Sequence, residues 1–221
     1  MYQGLARNTC NVSEVGSIPT SSTMSYSDKF KVVWLNPMRT ATRSCGIIQR
    51  ELGFEDTSTH SFIVPEDKIN YHFIVNIRNP YSRLVSLYKL NRIWEKKEFN
   101  KEDFKGWVDF VFDDKLINKN TSTVYLDNLI NGLPKKPETY VRVESLIDDL
   151  KSLWFIQENF NLIEQVFNDQ IVRNNYKMEY GSSILWKEFY NQELADFVYL
   201  KTKPQFDMFN YEKDSWKYGT S

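Results

Sequence analysis

Two short apolar runs, each closed by a turn signal and followed by a helical pattern, constrain this chain more than any other feature. The first is Lys31-Val32-Val33-Trp34-Leu35, ended by Asn36-Pro37. The second is His72-Phe73-Ile74-Val75-Asn76-Ile77, followed by Arg78-Asn79-Pro80. Short runs of this kind, β-branched in part, suit strands of a parallel sheet buried on both faces. Behind the first run, Thr42 to Leu52 has helical character, with Ile47, Ile48 and Leu52 on one side and Gly53 placed as its C-terminal cap. Behind the second, Asn79 reads as an N-cap and Pro80 as the first helical residue. Ser61-Phe62-Ile63-Val64, stopped by Pro65, reads as another strand, and Tyr140-Val141-Arg142-Val143 as one that runs into Glu144 to Leu150. Phe104, Trp107, Val108, Val111 and Phe112 mark one face of an amphipathic helix. Trp186, Phe189, Tyr190, Leu194, Phe197 and Val198 predict a helix over Ser183 to Lys203, ended by Pro204. Strands alternating with helices imply an α/β domain with a mostly parallel sheet.

At 221 residues the chain can bury one good core but not two large ones. Residues 1–29 are rich in Ser, Thr, Asn and Gly without apolar period, and read as a loosely attached tail ahead of a single domain over 30–221. Met24 is a second candidate start. The net charge is −1, which argues against sequence-independent nucleic-acid binding. No apolar run reaches the ~18–20 residues of a membrane span, and Met1 to Thr23 holds no continuous apolar segment, so a secretory signal is not expected. Cys10 and Cys45 are too few and too differently placed for a disulfide framework or a zinc site. The expected setting is therefore soluble and cytoplasm-like, without nucleic acid or membrane as partner.

Chemistry concentrates in two strand-to-helix loops. The first is Asn36-Pro37-Met38-Arg39-Thr40-Ala41-Thr42-Arg43-Ser44. A loop that opens a helix aims free backbone N–H groups at one spot, and the helix dipole adds to their pull on an anion. Arg39 and Arg43 bring guanidinium groups, Thr40, Thr42 and Ser44 bring hydroxyls, and Ala41 lets backbone come close to a ligand. The plainer reading is a polar turn with a Thr or Ser N-cap. The Walker A pattern G-x-x-x-x-G-K-[ST] is absent. The second loop is Arg78-Asn79-Pro80-Tyr81-Ser82-Arg83-Leu84-Val85-Ser86. Arg78 at the strand end and Ser86 two turns into the helix are placed to converge on one phosphate.

The string R-x-P-x-x-R-x-x-S at that junction, with the loop before it, resembles the sulfotransferases that use 3′-phosphoadenosine-5′-phosphosulfate (PAPS). The wording of residues 78–86 is closest to the carbohydrate-type branch. Tyr140-Val141-Arg142-Val143-Glu144-x-Leu146-x-x-Asp149-Leu150 resembles the family's later strand and helix. Residues 191–211 resemble its C-terminal helix and tail. The family's first loop usually reads P-K-x-G-[ST]-[ST]. Here Arg39 stands in the Lys place after one extra residue, and Ala41 in the Gly place.

The resemblance implies a P-loop-NTPase-like, three-layer α/β domain with a central, mostly parallel sheet flanked by helices. It implies that Arg39, Thr40, Ala41, Thr42, Arg43 and Ser44 hold the 5′-phosphosulfate, and that Arg78 and Ser86 hold the 3′-phosphate. PAPS is then the sulfuryl donor and 3′-phosphoadenosine-5′-phosphate (PAP) the product. Transfer to an acceptor hydroxyl, with a carbohydrate as one candidate acceptor, proceeds by in-line displacement without a metal. Arg39 would stabilise the leaving phosphate. His60, in a polar stretch ahead of the expected strand, is the candidate base, because an unperturbed His titrates near pH ~6.5. Glu55, Asp56, Glu66 and Asp67 are the alternatives. His72 opens the strand that ends at Arg78, so it belongs to the opposite end of the sheet. Arg173, Asn174, Asn175, Tyr176 and Lys177 form a polar loop where relatives cover the nucleotide. An ATP-dependent phosphotransferase and a non-catalytic nucleotide-binding relative are the competing readings.

Overall fold

The computed structural model describes residues 23–57, 63–113, 125–157, 159, 161 and 185–218. They form an α/β fold around a five-stranded sheet made of β1 (Thr23–Ser27), β2 (Val32–Asn36), β3 (Glu55–Thr57), β4 (His72–Ile77) and β5 (Thr139–Arg142). The spatial order is β3-β1-β2-β4-β5. Both apolar runs are strands, and they lie side by side, parallel, with Val33 opposite Phe73 and Leu35 opposite Val75. β5 joins β4 in parallel.

The sheet is mixed, however, and not mostly parallel. β1 runs antiparallel to both β2 and β3. Thr23–Ser27, inside the stretch that composition marks as a tail, is therefore a strand of the sheet. β1 has little apolar content of its own, but Met24 is 1% exposed and Ser25 and Ser27 are buried, because partners pair with it on both sides. The strand expected at 61–64 is also absent where it is described. Ile63 and Val64 are not in a strand, Ile63 is exposed, and Ser61 and Phe62 lie outside the described residues.

Helices are α1 (Thr42–Glu51), α2 (Pro80–Trp94), α3 (Lys101–Val111), α4 (Leu126–Asn131), α5 (Leu146–Ser152), α6 (Trp154–Gln157), α7 (Gln192–Phe209) and α8 (Ser215–Tyr218). Short 3-10 turns occupy Glu66–Lys68 and Trp186–Phe189. α1 ends as Gly53 foretells. Gly53 has φ 73°, its N–H donates to the Arg50 carbonyl and the Phe54 N–H to that of Gln49. That is the paired closure of a left-handed glycine cap.

The expected helix over 183–203 divides differently. Trp186 and Phe189 sit in the 3-10 turn, and α7 runs through Pro204 to Phe209. Proline cannot donate to the carbonyl four residues back, so the helix kinks instead of ending. Thr202 absorbs the bend at φ −117° and its hydroxyl donates to the Val198 carbonyl at 2.7 Å. Burial of Phe206 and Phe209 beyond the kink holds the chain helical.

Strand alternation separates two apolar faces. Val32, Trp34, Ile74 and Val141 pack with Cys45 and Ile48 of α1, Leu150 of α5 and Phe155 of α6. Val33, Leu35, Phe73, Val75 and Ile77 pack with Leu126 and Ile130 of α4 and Phe209 of α7. A third cluster joins α2, α3 and α7 through Tyr81, Tyr88, Phe104, Phe189 and Phe206. The Cys45 thiol is buried and free, and burial pushes its pKa up to about 12. No helix among the described residues is long and apolar enough to cross a membrane.

A buried amide chain locks β2 against β4. Trp34 Nε1 donates to Asn76 Oδ1 at 2.9 Å, Asn76 Nδ2 to Asn36 Oδ1 at 2.6 Å, and Asn36 Nδ2 to Gln49 Oε1 at 2.8 Å. A one-residue slip between β2 and β4 would break both links to Asn76, so the chain fixes register as well as packing.

His72 lies at the far end of β4 from Arg78, with Nε2 2.8 Å from Thr139 Oγ1 and its ring edge-on to Trp154. Burial lowers its pKa, and the Lys135 charge adds to that against the pull of Glu138. The unfolded chain therefore binds this proton more readily than the folded one. Stability contributed by neutral His72 is present at neutral pH and is lost as pH falls below the unfolded value of 6.5. Thermal unfolding followed between about pH 5 and pH 7 should show a smaller pH dependence in His72→Gln. An equal dependence in both proteins would remove His72 from the acid response.

Candidate functional site

Because β2, β4 and β5 are parallel neighbours, the segments that leave their C-terminal ends meet at one edge of the sheet. Open α/β sheets present their ligand crevices at that edge. Three segments arrive here: Pro37 to Ala41 from β2, Arg78-Asn79 from β4, and Val143 to Ser145 from β5.

The first segment holds two positive-φ residues and no glycine. Arg39 has φ 67° and Ala41, the N-cap of α1, has φ 61°. No side chain caps this helix. The amides of its first turn have no intrahelical acceptor, so they are donors for something else. The carbonyls of the loop are already engaged. Pro37 O accepts from Thr40 Oγ1 at 2.6 Å and Thr42 Oγ1 at 3.0 Å. Met38 O accepts from Arg83 Nε at 3.2 Å, and Arg39 O from Arg78 Nη1 at 3.4 Å. The Thr40 N–H is engaged as well, donating to the Pro37 carbonyl at 3.2 Å, which leaves the amides of the first turn of α1 as the donors suited to an anion.

Left-handed backbone costs a residue with a Cβ ~1–2 kcal/mol, part of which Gly returns as extra freedom of the unfolded chain. Ala41→Gly should accordingly stabilise the fold by about 1 kcal/mol in urea unfolding. A loss of stability would show that the Ala41 methyl, packed against the Trp34 cluster, outweighs the backbone term.

Two guanidinium groups are held by hydroxyls of α2. Arg39 Nε donates to Ser86 Oγ at 2.8 Å, and Arg78 Nε to Ser82 Oγ at 2.9 Å. Glu144, just past β5, balances them. Its Oε1 accepts from the Asn79 N–H at 2.9 Å and from Ser82 Oγ at 3.4 Å, and its Oε2 from the Tyr211 hydroxyl at 2.9 Å. Burial lowers the Arg78 pKa to about 10, with Glu144 opposing and Arg39 adding to the shift. Arg83, 3% exposed, is lowered to about 10 by burial and then by Arg78. Both stay charged at neutral pH. Asn79 caps α2 through its side chain, which accepts from the Tyr81 N–H at 3.0 Å, while its Nδ2 donates to Ser215 Oγ at 2.8 Å.

The structure thus brings Arg39, Arg78 and Ser86 together, but with partners exchanged. Ser86 meets Arg39, and Arg78 meets Ser82. Thr40 is fully buried and the hydroxyls of Thr40 and Thr42 close the loop on itself. Ala41 sits at the N-cap, Ser44 is half-buried in the first turn, and Arg43 is exposed. His60 and the 173–177 loop lie outside the described residues. Glu55 and Asp56 are on the edge strand β3, two strands from β2. Glu66 and Asp67 precede the start of β4, at the end opposite Arg78.

Sequence reading missed three contributors. Glu144 and Tyr211 stand in the segments that resemble the family, but nothing local marks them as partners of Arg78 and Asn79. Lys89, half-buried on α2 three residues after Ser86, has its pKa lowered first by burial and then by Arg78, so it is a further cation whose charge is felt at Arg78. Its helical spacing from Ser86 was the available signal.

Among the described residues, no group of three or more His, Cys, Asp or Glu is placed to hold a metal ion. Comparison of the chain with protein-family models, with curated proteins and with solved structures finds no match.

Proposed function

We propose that this edge of the sheet binds PAPS and that the protein transfers its sulfuryl group to an acceptor hydroxyl, with carbohydrates as the first acceptor class to screen. The observation that carries the reading is the direct contact between the two loops, Arg39 Nε to Ser86 Oγ at 2.8 Å. A ligand with phosphates on both sides of one ribose needs two anion sites within a nucleotide's reach, and these loops are adjacent. The strand–loop–helix layout also suits a P-loop-like domain.

PAPS would supply an activated sulfuryl group whose leaving side is a phosphate. The amides of the loop and Arg39 would hold the charge that collects there. Arg78 and Ser86 would hold the 3′-phosphate, exchanging their present protein contacts for phosphate oxygens. His60 remains the proposed base. His60→Ala should lower turnover and leave PAP affinity unchanged, and full activity in that variant would move the base elsewhere.

Calorimetric titration with PAP, with adenosine-5′-phosphosulfate and ATP–magnesium as comparisons, tests the reading. Selective PAP binding is the expected result. Preference for ATP–magnesium would replace it with the phosphotransferase reading, and no binding of any of the three would overturn nucleotide recognition.

A further inference from the structure

The second arginine of the R-x-P-x-x-R-x-x-S string has no place in the phosphate contacts described above. Arg83 is 3% exposed, so little of its guanidinium reaches the surface. Its Nε donates instead to the Met38 carbonyl at 3.2 Å. That carbonyl belongs to the residue just before Arg39, whose left-handed backbone turns the loop. The neighbouring carbonyls are held by other donors, Pro37 O by Thr40 and Thr42, and Arg39 O by Arg78.

From this we infer that Arg83 is a positioning residue that fixes the backbone of the Met38–Ala41 segment at the entry to α1. Turning the Met38 peptide by its carbonyl oxygen turns the Arg39 N–H to the opposite side, because the two belong to one planar unit. A loop with no glycine at Arg39 or Ala41 has no intrinsic preference for this conformation. It needs an external donor, and a guanidinium supplies one that stays charged at neutral pH. Asp127 of α4 is 5% exposed, and its charge favours the ionised Arg83.

The inference rests on reading the loop as an anion site, and the experiment separates the two. Arg83→Met alone leaves Asp127 buried without its cation, so the variant to use is Arg83→Met combined with Asp127→Asn, with folding checked by circular dichroism. PAP and adenosine-3′-phosphate are titrated into this protein and the wild type. PAP uses the loop, whereas adenosine-3′-phosphate uses only Arg78 and Ser86. PAP affinity should fall about tenfold, the loss expected for one misplaced set of charged hydrogen bonds, while adenosine-3′-phosphate affinity holds. Equal losses for both ligands, or none for PAP, would overturn the role. If the wild type binds neither ligand, the functional reading fails, and the positioning role is decided on the ligand-free chain. The backbone amide NMR signals of Arg39 to Thr42 should then shift in the double variant while those of α3 stay in place. Unchanged loop signals would reject it.

Discussion

Glu144→Ala lowers the free energy of unfolding by about 3 kcal/mol, the largest effect expected of any single substitution at this site. The carboxylate accepts from the Asn79 N–H, from Ser82 Oγ and from the Tyr211 hydroxyl. Removing it leaves these donors without that acceptor and leaves the Arg78 guanidinium without the charge that favours its ionised form. Glu144 is half-buried, so water compensates part of the loss, which keeps the figure near the lower end for a broken buried pair. Glu144→Gln retains an acceptor for Asn79 and should cost only about 1 kcal/mol, from the missing charge alone. Urea unfolding of the three proteins measures the series. A Glu144→Ala loss below about 1 kcal/mol would mean that water replaces the carboxylate.

If the proposed function holds, Arg78→Ala should weaken PAP binding by about 1.5–3 kcal/mol, roughly ten- to 150-fold, the range for a hydrogen bond to a charged group. Adenosine-5′-phosphosulfate, which lacks the 3′-phosphate, should lose far less. It is not wholly insensitive, because Arg78 Nη1 also touches the Arg39 carbonyl, though at 3.4 Å. The difference between the two ligands is therefore the informative quantity. Unchanged PAP affinity would take Arg78 out of the 3′-phosphate site and leave it as the loop's tether alone.

Local signals gave the elements around this site with little error. Asn79 and Pro80 mark the start of α2, because the cap and the fixed proline φ act within a few residues. His72 to Ile77 forms a strand at the expected bounds, and Gly53 closes α1 through its own left-handed φ. The failures share another cause. Thr23 to Ser27 carries no strand signal, yet pairing with β2 and β3 makes it one. Pro204 is a helix breaker by local rules, but burial of Phe206 and Phe209 keeps α7 running past it.

The sequence by itself determined which residues carry charge and hydroxyls, and that each group sits where a strand hands over to a helix. These properties depend on a few consecutive residues and their backbone angles. Only the tertiary structure decided which groups meet. Arg39 reaches Ser86 and Asn79 reaches Glu144 because β2, β4 and β5 lie next to one another in parallel, which puts their C-terminal ends side by side. That adjacency is set by burial of both sheet faces and by the Trp34–Asn76–Asn36–Gln49 chain, contacts between residues far apart in sequence that no local pattern encodes.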